Sequence, residues 1–309
     1  MTFQRIKDIK INEADFMAVE SVAGYESVTF HNRSDAEIDA NALVDHFMNL
    51  KGTEEIKHLI IGWSSNLRNV EIVRAFPCIR TLEVAGHIIE SLDGLEWFSN
   101  SQYLSIPTDD KHKHKRNIGK IAEVPIEIMD LDFARKADYE AIGRCTSLKS
   151  LTVNKGIAID LYEWRDVPLE YVKFMQGKFT ELGDIGYLKE LESIMIAGCR
   201  KFERFVGTNT KVKHVIVYGC KRFDVKSLSA FPAAEYITIN NGPPDFPLSD
   251  LPENSSVRSL SILNCNIIYD MYDIKSKMPK LEDLTISRSK LKKDQAQLLR
   301  DANPGLEVK

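Results

Sequence analysis

The sequence has no long apolar segment. No stretch of its 309 residues approaches the roughly 20 apolar residues that a membrane-spanning helix needs. The first residues, from Met1 to Lys10, carry charges where a secretory signal has an apolar run. These two absences predict a cytoplasmic protein without a membrane partner.

Positive charge is not in excess either. The chain has 41 lysines and arginines against 45 aspartates and glutamates, which gives a formal net charge of −4. A domain that binds nucleic acid usually has a clear surplus of basic residues on one face. We therefore expect no nucleic acid among the partners of this chain.

Familiar catalytic and cofactor motifs are missing as well. The sequence contains no Gly-x-Ser-x-Gly elbow, glycine-rich phosphate loop, Gly-x-Gly-x-x-Gly fingerprint, His-Glu-x-x-His motif or Cys-x-x-Cys pair. We expect no enzymatic activity, no cofactor and no bound metal. One weak alternative is an enzyme that uses Asp130 and Asp132, which lie two apart in a predicted strand and so point to the same face.

What the sequence does contain is a repeat. The segment from Leu191 to Cys199 reappears 21 residues later as the segment from Val212 to Cys220. Both copies alternate apolar and variable residues, which indicates a strand with one buried face. Successive copies lie 20 to 31 residues apart, a spacing that indicates one repeat array. The template, centred on one apolar anchor residue, occurs twelve times, with anchors at Val28, Leu59, Leu82, Leu104, Leu131, Leu151, Val172, Ile194, Val215, Ile237, Leu260 and Leu284.

The template resembles leucine-rich repeat proteins, whose strand segment reads Leu-x-x-Leu-x-Leu-x-x-Asn/Cys. Cys199, Cys220 and Cys265 fill its final slot, while the other copies hold other residues there and never asparagine, as in an irregular member. The resemblance covers nearly the whole chain. It implies an α/β solenoid, or horseshoe, with a curved parallel sheet of about twelve strands and short helices or turns on the convex side. It implies little about function, because one fold serves many functions.

The five cysteines are expected to be reduced structural thiols. An odd number leaves at least one thiol unpaired, and three cysteines occupy the same slot of different repeats. A small side chain with a weak donor suits a position that points into the stack of repeats. We therefore predict buried thiols rather than disulfide partners.

The ends of the chain are expected to cap the array. Residues 1–55 are predicted to form an N-terminal cap and the first strand, with a helix that Ser34 caps. Residues 56–289 form the repeat array. Residues 290–309 form a C-terminal helix and a terminal strand stub, and all three parts belong to one continuous solenoid domain.

One insertion between repeats is rich in charge. It lies between the anchors Leu104 and Leu131 and contains the run from Asp109 to Arg116. We interpret it as a solvated loop tip. A phosphate-binding patch or a weak metal-binding loop stays open as an alternative, although His112 and His114 alone supply too few ligands for zinc.

The concave face of the sheet is the candidate site. In a leucine-rich repeat the residues one before, one after and three after each anchor face outward. In the middle of the array these rows hold few charges and several large amphipathic residues, a composition typical of interface centres. We predict that they bind a partner protein, with Tyr171, Lys173, Met175, Met195, His214, Ile216, Tyr218 and Tyr236 as the contact residues.

The predicted function is a non-enzymatic protein-recognition scaffold, and an inhibitor or immunity-type protein is one form of it. Binding of a carbohydrate or another small ligand through the tyrosine row is the alternative. The same side chains also have a purely structural interpretation, because cross-strand neighbours of this kind stabilise a sheet. The identity of the partner does not follow from the sequence.

Overall fold

Each repeat of the second half of the chain forms a parallel strand, followed by a turn or a short helix. A computed structural model describes residues 6–32, 38–86, 88–107, 118–132 and 134–308. They belong to two units, Met1–Lys149 and Ser150–Lys309. No helix among the described residues is both long and apolar enough to cross a membrane.

The first unit is a parallel sheet whose strands pair in chain order. Its strands are β1 (Asp8–Asn12), β2 (Ser27–His31), β3 (His58–Ile61), β4 (Thr81–Val84), β5 (Tyr103–Ile106) and β6 (Ile128–Asp132). Two α-helices, α1 (Ala40–Met48) and α2 (Lys136–Ile142), lie outside the strands. Tight 3-10 turns form the other connections, at Glu13–Ala18, Thr53–Glu55, Glu71–Ala75, Leu95–Trp97 and Gly119–Glu123.

The second unit continues the same plan. Its strands are β7 (Ser150–Asn154), β8 (Tyr171–Met175), β9 (Glu181–Asp184), β10 (Ser193–Ala197), β11 (Arg204–Val206), β12 (His214–Tyr218), β13 (Tyr236–Asn240), β14 (Phe246–Pro247), β15 (Ser259–Leu263), β16 (Ile267–Ile268), β17 (Asp283–Ser287) and β18 (Glu307–Val308). Strands β7, β8, β10, β12, β13, β15, β17 and β18 form one parallel sheet in that order. The pairs β9 with β11 and β14 with β16 form small separate ladders. Helix α3 (Lys293–Ala302) precedes the last strand, and 3-10 turns lie at Leu161–Trp164, Ile185–Tyr187, Val225–Ala230 and Leu248–Asp250.

The predicted anchors pair with one another inside each unit, with one exception. Leu104 of β5 pairs with Met129 of β6, and the predicted anchor Leu131 pairs with Ile106 instead. The predicted register of this repeat is therefore wrong by two residues. Met129 and Leu131 are both buried, and a shift of two residues keeps every side chain on its face, so alternation alone cannot detect the error.

This correction also changes the final slot of that repeat. The final slot lies five residues after the anchor, as Cys199 does after Ile194. Five residues after the predicted anchor Leu131 the chain has Lys136, whereas five residues after Met129 it has Ala134. Ala134 is buried, as are the residues of this slot in the second unit. With the corrected register the final slot of this repeat therefore holds a small buried residue, as it does in the second unit.

A stack of phenylalanines fills the core of the second unit. Phe202 lies at its centre, with its ring centroid 5.9 Å from Phe179, 5.0 Å from Phe205 and 5.9 Å from Phe223. Phe205 in turn contacts Phe231 at 4.7 Å. Most of these ring pairs are edge to face, an arrangement that adds to the stability gained from burial alone.

The cysteines at the final slot are buried, as the sequence predicts. The Cys199 thiol accepts a hydrogen bond from the backbone N–H of Gly177 at 3.2 Å, and the Cys265 thiol accepts one from Gly242 at 3.4 Å. Burial raises the pKa of Cys199 to about 11 and that of Cys220 to about 12. Each thiol therefore stays protonated at neutral pH. Cys199 and Cys265 bond the backbone of the neighbouring repeat from the slot that can hold asparagine in the leucine-rich repeat template.

One α-helix lies near each end of the described chain. Helix α1 begins after Asp39, whose carboxylate accepts hydrogen bonds from the backbone of Asn41 and Ala42 at 3.0 and 3.1 Å. The cap predicted at Ser34 lies outside the described residues, and the cap of α1 is Asp39. Helix α3 and β18 lie within the predicted C-terminal segment. The boundaries at residues 55 and 289 remain predictions.

Candidate functional site

The eight residues predicted to bind a partner lie on adjacent strands of the second unit; we call them the sheet patch. They are Tyr171, Lys173 and Met175 on β8, Met195 on β10, His214, Ile216 and Tyr218 on β12, and Tyr236 on β13. All four strands are parallel neighbours in register. Side chains one repeat apart are therefore separated by about the 4.8 Å spacing of paired strands.

The alternating sequence of each strand forces these side chains outward. In β12 the β-branched Val215 and Val217 are completely buried, and in β10 Ile194 and Ile196 are buried in the same way. Because successive residues of a strand point to opposite faces, the residues between them lie on the other side of the sheet. The sheet patch is thus a consequence of how the core is filled.

Two tyrosines are the most exposed large residues of the sheet patch. Tyr218 is 45% exposed and Tyr236 is 44% exposed. The remaining members, apart from the exposed His214, are half-buried between their neighbours. Lys173 is its only lysine, and it holds no arginine, aspartate or glutamate. The surface is therefore large, amphipathic and poor in charge.

Contacts within the sheet patch hold its side chains in place. The rings of His214 and Tyr236, which pair across β12 and β13, lie parallel with centroids 4.7 Å apart. The Tyr171 hydroxyl lies 4.0 Å from the Met195 sulfur. Side chains that are already ordered lose less conformational entropy when a partner binds.

The sheet face of the first unit is more polar. Asp8 accepts hydrogen bonds from Ser27 and Thr29 at 2.9 and 3.1 Å, and His58 Nδ1 lies 2.6 Å from the Thr81 hydroxyl. A pocket of about 300 Å³ opens on this face, lined by Asp8, Ser27, His58 and Thr81 together with Ile6, Leu59, Ile60, Leu82, Glu83 and Tyr103. This pocket is not predicted by the repeat template. The sequence feature that indicates it is the number of polar residues at the outward-facing positions of the first repeats.

Asp130 and Asp132 lie on the same face of β6, as predicted. The Tyr103 hydroxyl donates a hydrogen bond to Asp130 Oδ2 at 2.7 Å. Burial, and then this bond, raise the pKa of Tyr103 to about 12, so the tyrosine keeps its proton for the carboxylate at neutral pH. Among the described residues, no group of three or more histidine, cysteine, aspartate or glutamate side chains converges to hold a metal ion.

The charged run from Asp109 to Arg116, with His112 and His114, lies outside the described residues. The loop tip, the phosphate-binding patch and the weak metal-binding loop therefore remain predictions for this run.

Several solved structures are similar to this chain, and three of them are compared with it by identity, TM-score and coverage. TLR13 in complex with ssRNA13 is 10% identical, with a TM-score of 0.52 over 98% of this chain and 46% of that chain. An internalin, InlF of Listeria monocytogenes, is 14% identical, with a TM-score of 0.47 over 91% of this chain and 71% of that one. The leucine-rich repeat domain of APL1B is 10% identical, with a TM-score of 0.46, covering 97% and 85%.

The TLR13 structure and the repeat geometry agree on the architecture. The chain has the α/β leucine-rich repeat fold, which confirms the resemblance and the fold class inferred from the sequence. It spans about half the length of the TLR13 chain that it matches. No protein-family model and no curated protein matches the sequence. At this level of identity the likeness shows the fold alone.

Proposed function

We propose that the chain is a non-catalytic scaffold that recognises a partner protein through the sheet patch. The observation that carries the proposal is the contiguous, charge-poor surface around Tyr218 and Tyr236, both close to half exposed. Exposed amphipathic patches of this kind are typical of the centres of protein interfaces, where tyrosines contribute much of the binding energy. An inhibitor or immunity-type role is one form of the proposal, in which the partner is an enzyme or a toxin.

A protein partner fits the sheet patch better than a nucleic acid does. TLR13 is seen in complex with ssRNA13, but the sheet patch holds a single lysine and the chain has a net charge of −4. Neutralising backbone phosphates requires several cations on the contact surface. The composition therefore supports protein recognition.

We place the protein in the cytoplasm in this proposal. Cys145, Cys199, Cys220 and Cys265 are buried and Cys78 is half-buried, and all five are free thiols. Free structural thiols suit a reducing compartment. Thiol titration of the denatured chain, isolated without reductant, should give five free groups, and three or fewer would contradict the proposal.

Substitution of the exposed tyrosines tests the recognition surface. Tyr218→Ala and Tyr236→Ala should each weaken binding of the natural partner by about 2 kcal/mol or more, since truncation removes an anchor at an interface centre. Both side chains point away from the core, so the melting temperature should stay nearly unchanged. Isothermal titration calorimetry and thermal melting would be run in parallel on each variant.

Tyr162→Ala is the matched control for these variants. Tyr162 belongs to the same unit and is 48% exposed, but it lies in the turn Leu161–Trp164 rather than on the sheet. Its removal should leave the affinity unchanged. Normal binding by both sheet variants, together with a loss in the Tyr162→Ala variant, would place recognition on the turn side and refute the proposal.

Small-ligand binding is the second candidate function, and the pocket of the first unit favours it. Its volume of about 300 Å³ lies at the lower end of ligand sites, and His58, Thr81 and Tyr103 supply polar groups beside Leu59 and Ile60. A carbohydrate is the class of ligand that such a polar and aromatic lining suits. A rise in melting temperature with one glycan of a panel, absent in the His58→Ala variant, would support this function. The absence of a shift with every glycan tested would refute it.

A further inference from the structure

A row of cations follows the strands that carry the sheet patch; we call it the basic edge. Lys178, Arg200 and Lys221 stand six residues after the anchors of β8, β10 and β12, and Lys201 follows Arg200. All four are exposed. Because they hold nearly equivalent places in three neighbouring repeats, their backbone positions are about one strand spacing apart from repeat to repeat. The repeat template of the strands does not predict this row.

The backbone explains why these residues lie at an edge. The residue that follows each strand has a positive φ, as Gln176 (52°), Gly198 (64°) and Gly219 (67°) show. This left-handed conformation turns the chain away from the strand direction, and glycine adopts it without strain. The small final-slot residue then enters the core, and the next residue, a cation in all three repeats, returns to the surface.

The basic edge has few carboxylates to balance it. Lys178, Arg200 and Lys201 form no ion pair with any described carboxylate, and Lys221 donates to the amide oxygen of Asn241 at 2.5 Å. Like charges crowded together repel one another unless a counter-charge is bound. The basic edge is thus an uncompensated positive surface on a chain whose net charge is negative.

The opposite edge of the same sheet differs in this respect. There Arg258 lies 3.9 Å from Glu235 and 3.7 Å from Glu282, and Lys211 lies 2.6 Å from Glu190. These ion pairs neutralise part of the positive charge along that edge. Several cations of that edge are thus paired, whereas Lys178, Arg200 and Lys201 are in no ion pair with a carboxylate among the described residues.

A groove of about 670 Å³ runs along the basic edge. Gln176, Gly177, Lys178, Gly198, Arg200 and Lys201 line it. It adjoins the sheet patch, since Gln176, which lines the groove, directly follows Met175 in the chain. A partner seated on the tyrosines would reach the groove within a few residues of its own chain.

We propose that the basic edge binds an acidic peptide segment of the partner, next to the apolar region that the sheet patch contacts. The inference rests on the proposed function and names the chemistry of the partner. Lys178, Arg200 and Lys201 line the groove, and Lys221 stands at the equivalent place of the next repeat. A row of cations over three repeats suits a run of carboxylates better than a single phosphate. Only four cations are present, and the chain as a whole is acidic, which disfavours the long backbone of a nucleic acid.

A fluorescein-labelled octaglutamate peptide is the probe, and fluorescence anisotropy with the full chain at low salt is the measurement. We expect saturable binding that weakens as salt approaches about 0.15 M, where charges are screened beyond about 8 Å. Arg200→Glu with Lys201→Glu should weaken binding about tenfold or more, because each reversal replaces an attraction with a repulsion. The matched control is Lys189→Glu with Lys213→Glu, which changes the net charge equally at exposed positions away from the groove and should bind nearly as well as the original chain.

Three outcomes would overturn the inference: no binding of octaglutamate, equal weakening in the control variant, or tighter binding of an oligothymidylate of the same length. Displacement of the peptide by inorganic phosphate at a similar concentration would also overturn it, since it would indicate a simple ion site. The test is separate from that of the sheet patch. Tyr218→Ala should still bind octaglutamate, so failure of the basic edge leaves the tyrosine result intact, and the reverse also holds.

Discussion

Phe202→Ala is expected to lower the free energy of unfolding by about 3 to 5 kcal/mol, the range found when a buried phenylalanine is truncated. Phe202 is completely buried, and its ring lies between those of Phe179, Phe205 and Phe223. A rigid aromatic stack cannot collapse fully into the space left behind, so the loss includes a cavity as well as the buried area. Urea unfolding followed by circular dichroism measures the change.

The control for Phe202→Ala is Tyr162→Ala. Tyr162 is also aromatic and in the same unit, but it is 48% exposed, so its removal should change stability by less than about 1 kcal/mol. A loss for Phe202→Ala no larger than that of the control would show that the phenylalanine stack is not the core of this unit.

Asn209→Ala is expected to cost about 3 kcal/mol of stability, although it removes no apolar surface. The side-chain amide of Asn209 donates to the carbonyl oxygens of Ile185 and Leu188 at 3.1 and 2.8 Å, and its oxygen accepts from the backbone of Lys211 and Val212 at 2.9 and 3.2 Å. It is 4% exposed, so water cannot easily replace it. Each buried group that loses its partner costs roughly 1 to 3 kcal/mol.

The neighbouring Thr210→Ala is the control for Asn209→Ala. Thr210 is exposed, and its truncation should change stability by no more than about 0.5 kcal/mol. Urea unfolding of the two variants side by side decides the point. Equal stability of the two would mean that the four hydrogen bonds of Asn209 contribute nothing net to the fold.

Much of the sheet could be predicted because its signal is local. Alternation around Ile194 and Val215 identifies a strand with one buried face, and the regular spacing identifies the neighbours. The register failed only at Leu131, where Met129, Leu131 and a long connection allow two placements that bury the same face. Local alternation carries no information about a shift by an even number of residues.

Less of the surface could be predicted, for a different physical reason. The sheet patch follows from the strand template, which places Tyr218 and Tyr236 outward once the register is known. The basic edge depends on the left-handed turn after each strand. At Gln176 this turn cannot be predicted from the sequence, because glutamine rarely adopts a positive φ. The pocket of the first unit depends on which polar side chains bond one another across strands, as His58 and Thr81 do.

Site-specific photo-crosslinking tests the recognition surface most directly. A photoreactive phenylalanine in place of Tyr218, Tyr236 or Tyr162 captures whichever protein touches that side chain in cells of the source organism, and mass spectrometry of the adduct then identifies it. We predict an adduct with one and the same protein from the Tyr218 and Tyr236 positions and none from Tyr162. An adduct from the Tyr162 position with none from either sheet position would contradict recognition through the sheet patch.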